Sequence, residues 1–585
     1  MSWVRCQTSG GRISYEQMRV SSVTGDRQIN VGWSKCGTAD RLSGACMWLQ
    51  RKEREKRRLY LNATGSESRD QGVECEDMKR VIVVGGGAGG LACAGRLAKA
   101  GLEVTLLEKN NVVGGRLQSE NINGWRFDTG PSLLLFPKTY METFEHLGID
   151  HGEFLELKRV VPAAYRVFFS DGSAIDLLDD PEDMKKQLED IEKGAGEGYA
   201  GFLDMAKRHL EIGMPYFIER DFTELSDAKG LLDLLPKATS LNPWQLLGPY
   251  DLVLRQFFKS DKIRSAFAFQ TCYVGLSPYS APGVFSLLAG TEMSDGVFYP
   301  IGGFGKIRDL LYDAAVRHGV KMMVETEVKS IVVDAKSNVC GVKLSNGTQI
   351  NADIVVCNRD LPASYDLLES NISSNIEEYA AMKSSKLSSL DYSNGLLIYC
   401  WCIDRKMDDL LHHNVFISNN RKKSWEPARD ADEMQQFPNF YVHVPSRTDT
   451  TAAPDGCESV MVLLPVANLQ LTEKEKYPDM VRKGKESILK SLEASGVKLG
   501  QHIVAEKIIT PDELGAKYAL KYGAAFGLSH NLNQLSLFRP GNKDDVCSGL
   551  YFTGASTRPG NGVPLCFISA KLTAERILKD ASCFT

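Results

Sequence analysis

Val81-Ile82-Val83-Val84-Gly85-Gly86-Gly87-Ala88-Gly89-Gly90 is the stretch from which the rest of the chain can be read. Four β-branched residues in a row suit a strand buried on both faces of a parallel sheet. The glycines follow, and Leu91, Ala94, Leu97 and Ala98 then recur at helical spacing. A second apolar run, Val104 to Leu107, ends at Glu108. The order strand, glycine turn, helix, strand, acid is that of a dinucleotide-binding unit. Gly85 allows the tight turn out of the strand. Gly87 lets the backbone and Ala88 approach a pyrophosphate, and Gly90 lets helix and strand pack closely. The helix N-terminus offers free N–H groups to phosphate oxygens. Glu108 is placed to accept hydrogen bonds from a ribose diol and would repel a 2′-phosphate.

Around this unit lie 585 residues, too many for one core. With 43% hydrophobic and 24% charged residues the chain is not wholly disordered, and a net charge of −5 argues against a nucleic-acid binder. No run of about 18 apolar residues is present, so no spanning helix is expected. The 14 cysteines are scattered and form no CxxC pair, as buried thiols in a reducing compartment would be. The charge is unevenly spread. Residues 1 to 60 carry twelve Lys/Arg and five Asp/Glu, a net of +7, which leaves −12 for the remainder. This Arg- and Ser-rich, acid-poor start has the character of an organellar transit peptide. The cluster Arg51 to Arg58 is interrupted by Glu53 and Glu55 and reads as a solvated charge run.

Downstream of Glu108, Gly114-Gly115-Arg116 and Phe127-Asp128-Thr129-Gly130-Pro131 supply more close-approach positions, and Arg116 could contact phosphate. Tyr165 to Phe169 and Ala174 to Leu177 flank an Asp171-Gly172 turn and read as a hairpin opening a second domain. From 181 to 290 the pattern is mostly helical, broken by prolines and rich in apolar residues from Leu231 to Phe258. This is either a helical core, or a hydrophobic tunnel with a face in a membrane interface. Lys306 to His318 reads as a helix. Lys321 to Glu325 is a strand, Val328 to Ile350 a meander, and Ile354 to Cys357 a parallel strand. Further strands are expected at Tyr392 to Ile403, Phe440 to Val444, Val460 to Val466 and 503 to 509, with a polar loop from Asp449 to Glu458. Leu550 to Thr553 then runs into a second glycine loop, Gly554 to Pro564, and a helix of small residues. A helix N-terminus aimed at a flavin stabilises negative charge at its N1 and C2 carbonyl.

Glu108 to Arg116 resembles the second signature of the flavin amine oxidase and carotenoid desaturase superfamily. Tyr273-Val274-Gly275, Tyr299 to Gly303, His412-His413-Asn414, Pro445 to Asp449, Ala453 to Gly456, Phe538 to Asn542 and the loop from Gly554 to Pro564 extend the likeness over about residues 80 to 580. Together these pieces resemble the bacterial- and fungal-type phytoene desaturases. Arg558, where histidine is more usual, and Leu565-Cys566 depart from the pattern beside the expected flavin ring.

The resemblance implies an α/β fold, with a Rossmann-like FAD-binding domain and an inserted α+β substrate- and membrane-binding domain. The FAD-binding domain would comprise residues 78–160, 296–365 and 536–585. The substrate domain would comprise 161–295 and 366–535, with 1–77 as the extension. The implied FAD contacts are Gly85, Gly87, Ala88, Gly90, Glu108, Gly115, Arg116, Gly130, Pro131, Val328, Gly554, Ala555, Gly560, Gly562 and Val563, with no metal. The implied enzyme is monotopic, needs no nucleic acid, and moves a hydride from a C40 polyene to flavin with loss of a proton. A carotenoid substrate makes the organelle a plastid. The same fold also serves a redox-neutral isomerase or xanthophyll-modifying enzyme, an amine oxidase or saturase, or a carrier without catalysis. The electron acceptor, quinone or oxygen, stays open. So does the catalytic residue, because His412, His413, Asp449 and Arg539 serve equally well as structural groups.

Overall fold

The β-branched run is the centre of a five-stranded parallel sheet, ordered Leu550–Phe552, Ile354–Cys357, Arg80–Val84, Glu103–Leu107 and Lys321–Met323. The computed structural model describes residues 79–582 apart from 151, 153–154, 223–240, 370–373 and 419–421. The extension 1–77 and the apolar run Leu231 to Leu235 lie outside the described residues. The register sets the site. Val84 pairs with both Leu107 and Cys357, and Cys357 pairs with Phe552. The loops that leave at Gly85, Glu108, Asn358 and Thr553 therefore emerge along one edge, where open α/β sheets bind ligands. The helix Ala88–Lys99 packs between Gly305–Arg317 and Val563–Ser582. Val328–Val333, Val339–Leu344 and Gln349–Asn351 form the meander, and Leu368–Glu369 adds a parallel strand.

The second layer is a mixed seven-stranded sheet, ordered Ile503–Ile509, Gly395–Ile403, Glu458–Val466, Phe440–His443, His413–Ile417, Ala163–Phe169 and Ala174–Leu178. Its strands come from either side of the segment 296–365, which belongs to the first sheet and its meander. All nine residues of Gly395–Ile403 are buried. Leu397, Tyr399 and Trp401 share a core with Met480, Ile488 and Leu492 of the helix Tyr477–Ala494. Leu396 and Ile398 turn to the opposite face and line a cavity.

Several elements escaped the pattern, five strands among them. Ser119–Ile122 pairs with Trp125–Asp128, Leu157–Arg159 pairs with Phe298–Pro300, and His413–Ile417 is a buried strand. The stretch from Asp449 to Glu458 is a loop of turns, as expected, but the acids at its two ends are buried. Asp449 accepts from Arg126, from the Gly302 N–H (2.8 Å) and from Thr451 (2.7 Å), while Glu458 pairs with Arg447 (3.1 Å) and Ser446. The two end carboxylates are buried with partners rather than in contact with water. Asp128 completes the clasp by accepting from Ser119, Tyr299 and the Phe304 N–H.

Candidate active site

A cavity of about 800 Å³ begins at the glycine loops and runs beneath the seven-stranded sheet. Thirteen of the expected contacts line it: Gly85, Gly87, Ala88, Glu108, Gly115, Arg116, Gly130, Pro131, Val328, Gly554, Ala555, Gly562 and Val563. Gly90 and Gly560 stand one layer behind. A Cβ on Gly90 would lie 2.1 Å from the Gly85 carbonyl oxygen, so its task is packing. A Cβ on Gly560, where φ is +154°, would lie 2.5 Å from His530 Nε2.

The nucleotide end fits an extended diphosphate. The helix Ala88–Lys99 begins at Gly87 with no side-chain cap and no acid in its first turn, so its N-terminal N–H groups are left for an anion. A Cβ on Gly87 would meet only Asn358 Nδ2, and one on Gly130 would strike the Arg116 carbonyl at 1.9 Å. Glu108 is held by three donors: the Gly86 N–H (2.9 Å), the Asn110 N–H (2.9 Å) and Asn110 Nδ2 (2.8 Å). With about four lone-pair sites on a carboxylate, one stays open for a ribose hydroxyl. Val328 reaches this end because the Thr326 N–H donates to the Glu108 carbonyl at 2.8 Å. Arg116 donates through Nη1 to the Ala525 carbonyl at 2.7 Å, which fixes the side chain at the cavity wall.

Asn358 carries no sequence signal. It closes the first sheet edge by donating to the Gly85 carbonyl at 3.1 Å, and its amide stands where a Cβ on Gly89 or Gly554 would go. The second glycine loop is held from behind. Asp360 accepts from Ser556 and from the Lys521 N–H (3.0 Å), and burial pushes its carboxyl above the usual range. Arg539 threads through the loop's rear and donates to the carbonyls of Ala555 (2.7 Å), Thr557 (3.1 Å) and Ser529 (3.1 Å), with longer bonds to Leu528 and Gln534 (3.4 Å each). Arg558 is corrected: it does not line the cavity. Its guanidinium donates to the carbonyls of Arg539 (3.0 Å) and Leu537 (2.8 Å). Leu565 and Cys566 do line the cavity.

The far end is apolar. Leu396, Ile398, Val415, Ile417, Phe269 and Phe285 form its walls. Leu247, Leu532, Leu537 and Phe538 line it and are also exposed, Phe538 at 74%, so this cavity end meets the molecular surface at an apolar rim. Trp244 and Leu252 add exposed apolar area beside Leu247.

His412, His413 and His443 form a wholly buried group behind the wall. His413 faces the Tyr441 hydroxyl (2.6 Å), His412 faces Thr448 (2.6 Å), and the Nε2 atoms of His412 and His443 are 3.1 Å apart. Burial pushes His412 down to about 3, and pushes His413 and His443 well below the usual imidazole range. The His413 and His443 rings stack (5.5 Å, 16°). Sequence reading flagged two of these histidines, and His443 is their cross-strand neighbour.

Comparison with known proteins bears on this geometry. The family model for flavin containing amine oxidoreductases matches residues 88–392. A phytoene desaturase of Neurospora crassa is 36% identical over 87% of this chain and 86% of its own length. A zeta-carotene-forming phytoene desaturase of Myxococcus xanthus is 33% identical over 86% of this chain and 94% of its own. Among solved structures, a putrescine oxidase variant aligns over 86% of this chain and 99% of its own, with a TM-score of 0.56 at 15% identity, which speaks for the fold alone.

Proposed function

This chain belongs to the phytoene desaturase family, and from that premise we propose that it binds FAD and desaturates a C40 polyene such as phytoene at a membrane surface. One observation carries the reading: a single cavity joins the two glycine loops to an exposed apolar rim. Bound FAD would supply the hydride acceptor. The protein's share is alignment and exclusion of water. The paired loops at Gly85 and Gly554 would hold the cofactor, and the walls at Leu396, Ile398 and Val415 would hold an extended chain.

Expression in bacteria that accumulate phytoene is expected to yield coloured polyenes. The purified protein should be yellow with about one FAD per chain, and Gly87→Val combined with Glu108→Ala should remove it. Anaerobically, one equivalent of polyene should bleach the flavin. Conversion of poly-cis carotenoids to all-trans forms without bleaching would point to the isomerase instead.

The rim is the feature that favours membrane docking. Trp244, Leu247 and Phe538 present apolar side chains where a lipid-soluble substrate would enter. Changing all three to serine should weaken cosedimentation with phospholipid vesicles at least about tenfold while flavin content is kept. Unchanged vesicle binding would place the membrane contact elsewhere. The net charge of +7 over residues 1–60, with only three acids up to residue 48, supports an organellar address, and a carotenoid substrate favours the plastid.

A further inference from the structure

Desaturation releases a proton as well as a hydride, so the cavity wall needs a group that takes it. Tyr441 lines the cavity, but it is committed to Ser132 (2.9 Å) and His413 (2.6 Å). The three histidines behind it are driven so far below neutrality that none would keep a proton. Tyr273 differs. Its carbonyl accepts from Asn561 Nδ2 at 2.6 Å, which pins it to the second glycine loop. Its hydroxyl lies 2.9 Å from that of Tyr165, and Tyr165 donates to Glu292 Oε1 at 3.0 Å. The direction of the chain follows. When Glu292 is ionised, Tyr165 gives its one hydroxyl hydrogen to the carboxylate, and the hydrogen between the two phenols then belongs to Tyr273. In that state Tyr273, a cavity-lining residue, has hydroxyl lone pairs left to accept a proton.

Glu292 sits 1% exposed on the helix Ser286–Ser294, and its second oxygen accepts from Gln270 Nε2 at 2.9 Å. Among the described residues no Lys, Arg or His comes within ion-pair distance of it. The other titratable groups around it are the phenols of Tyr250, Tyr273 and Tyr441, with His413 stacked on Tyr165 and His209 bonded to Ser286 on the same helix. Burial without a cation pushes its carboxyl up to about 7, against the hydrogen bonds from Gln270 and Tyr165. Such a group changes charge readily near neutrality, which a structural carboxylate has no need to do.

We propose that Tyr273 takes the proton from the carbon next to the one that loses hydride, while Tyr273 passes its own hydroxyl proton to Tyr165 and Tyr165 passes its to Glu292. The C–H bond breaks, and its electron pair becomes the second bond of the new double bond. The hydride's two electrons go to the flavin of the reading above, on which this step rests, and the proton ends on Glu292 Oε1. Tyr273 is the catalytic residue. Tyr165 and Glu292 act through it as positioning residues.

Three measurements test this. In apoprotein, the infrared stretch of a protonated buried carboxyl should titrate near pH 7 and be missing in Glu292→Gln. In flavin-loaded enzyme, anaerobic flavin reduction by substrate should rise about tenfold per pH unit below 7 and level off above it, because the acceptor must be empty of its proton. Tyr273→Phe and Glu292→Gln should each lower that rate about 100-fold with flavin absorbance unchanged, and the double variant should be no slower than either. Tyr273→Phe keeps the ring and covers the case in which Glu292→Gln folds poorly. A rate within about twofold of wild type in Tyr273→Phe, or an unaltered pH profile in Glu292→Gln, overturns the relay alone. A wild type that neither bleaches nor makes coloured polyene overturns the desaturase reading, and the relay with it.

Discussion

Gly90→Ala should purify without flavin and unfold about 3 kcal/mol more easily than wild type. The added carbon would lie 2.1 Å from the Gly85 carbonyl oxygen and 2.9 Å from Asn358 Nδ2. Neither is the free end of a flexible side chain. The first is backbone in the turn that leaves the central strand, and the second is an amide already donating to that same carbonyl. Relief requires the helix Ala88–Lys99 to withdraw from the sheet by more than an ångström, and this carries its N-terminus away from the phosphate position. Packing and binding therefore fail together, although Gly90 does not line the cavity. Gly500→Ala is the control, because its nearest neighbour is Leu489 at 3.5 Å, an ordinary contact. It should change stability by no more than about 0.5 kcal/mol. Flavin absorbance per chain and urea midpoints read both effects. Stoichiometric flavin and an unshifted midpoint in Gly90→Ala would sink the packing argument.

Arg539→Met should be the most damaging substitution away from the glycine loops, costing about 4 kcal/mol and loosening the second loop. The side chain is 1% exposed, and its guanidinium answers five backbone carbonyls, two of them, Ala555 and Thr557, in the loop at the flavin end. Methionine matches much of the volume but leaves those acceptors buried and unanswered. Lysine restores the charge without the planar fork, and three donors on one nitrogen do not span the same set, so Arg539→Lys should recover less than half of the loss. Protease sensitivity between 528 and 560, measured beside the urea midpoint, separates local loosening from global loss. A midpoint within about 1 kcal/mol of wild type would show that solvent replaces these bonds.

The first glycine loop could be read from sequence because its signal is local. Strand, turn, helix and acid fall within about thirty residues, and each constrains the next. The second loop was legible for the same reason. The groups that hold these loops in place were not. Asn358 meets Gly85 across 273 positions, and Glu292 meets Tyr165 across 127. A lone asparagine or glutamate carries no periodicity that would distinguish such a role. The burial of Asp449 and Glu458 was not legible, because a polar run looks alike whether water or arginine answers it. The hairpin Ser119–Asp128 was missed because Ser-Glu-Asn-Ile and Trp-Arg-Phe-Asp show no clean alternation; none of the first strand is buried. Arg539 was visible only as a polar residue in a familiar segment. Its five backbone acceptors show that it organises the second loop.

The order of the parallel sheet also constrains how the protein is made. The central strand Arg80–Val84 is flanked on one side by Glu103–Leu107, which follows within about twenty residues, and on the other by Ile354–Cys357, separated by some 270. The edge strand Leu550–Phe552 comes about 190 residues later still. A ribosome-bound chain therefore holds one half of a nucleotide site and cannot close it until Leu550–Phe552 has emerged. Pairings of such long range form slowly, and the unfinished sheet edge is exposed to other chains in the meantime. Cofactor supplied at the moment of release would act as the final piece of the fold. Nascent chains truncated before Leu550 should retain none, which makes flavin retention a reporter of completed assembly.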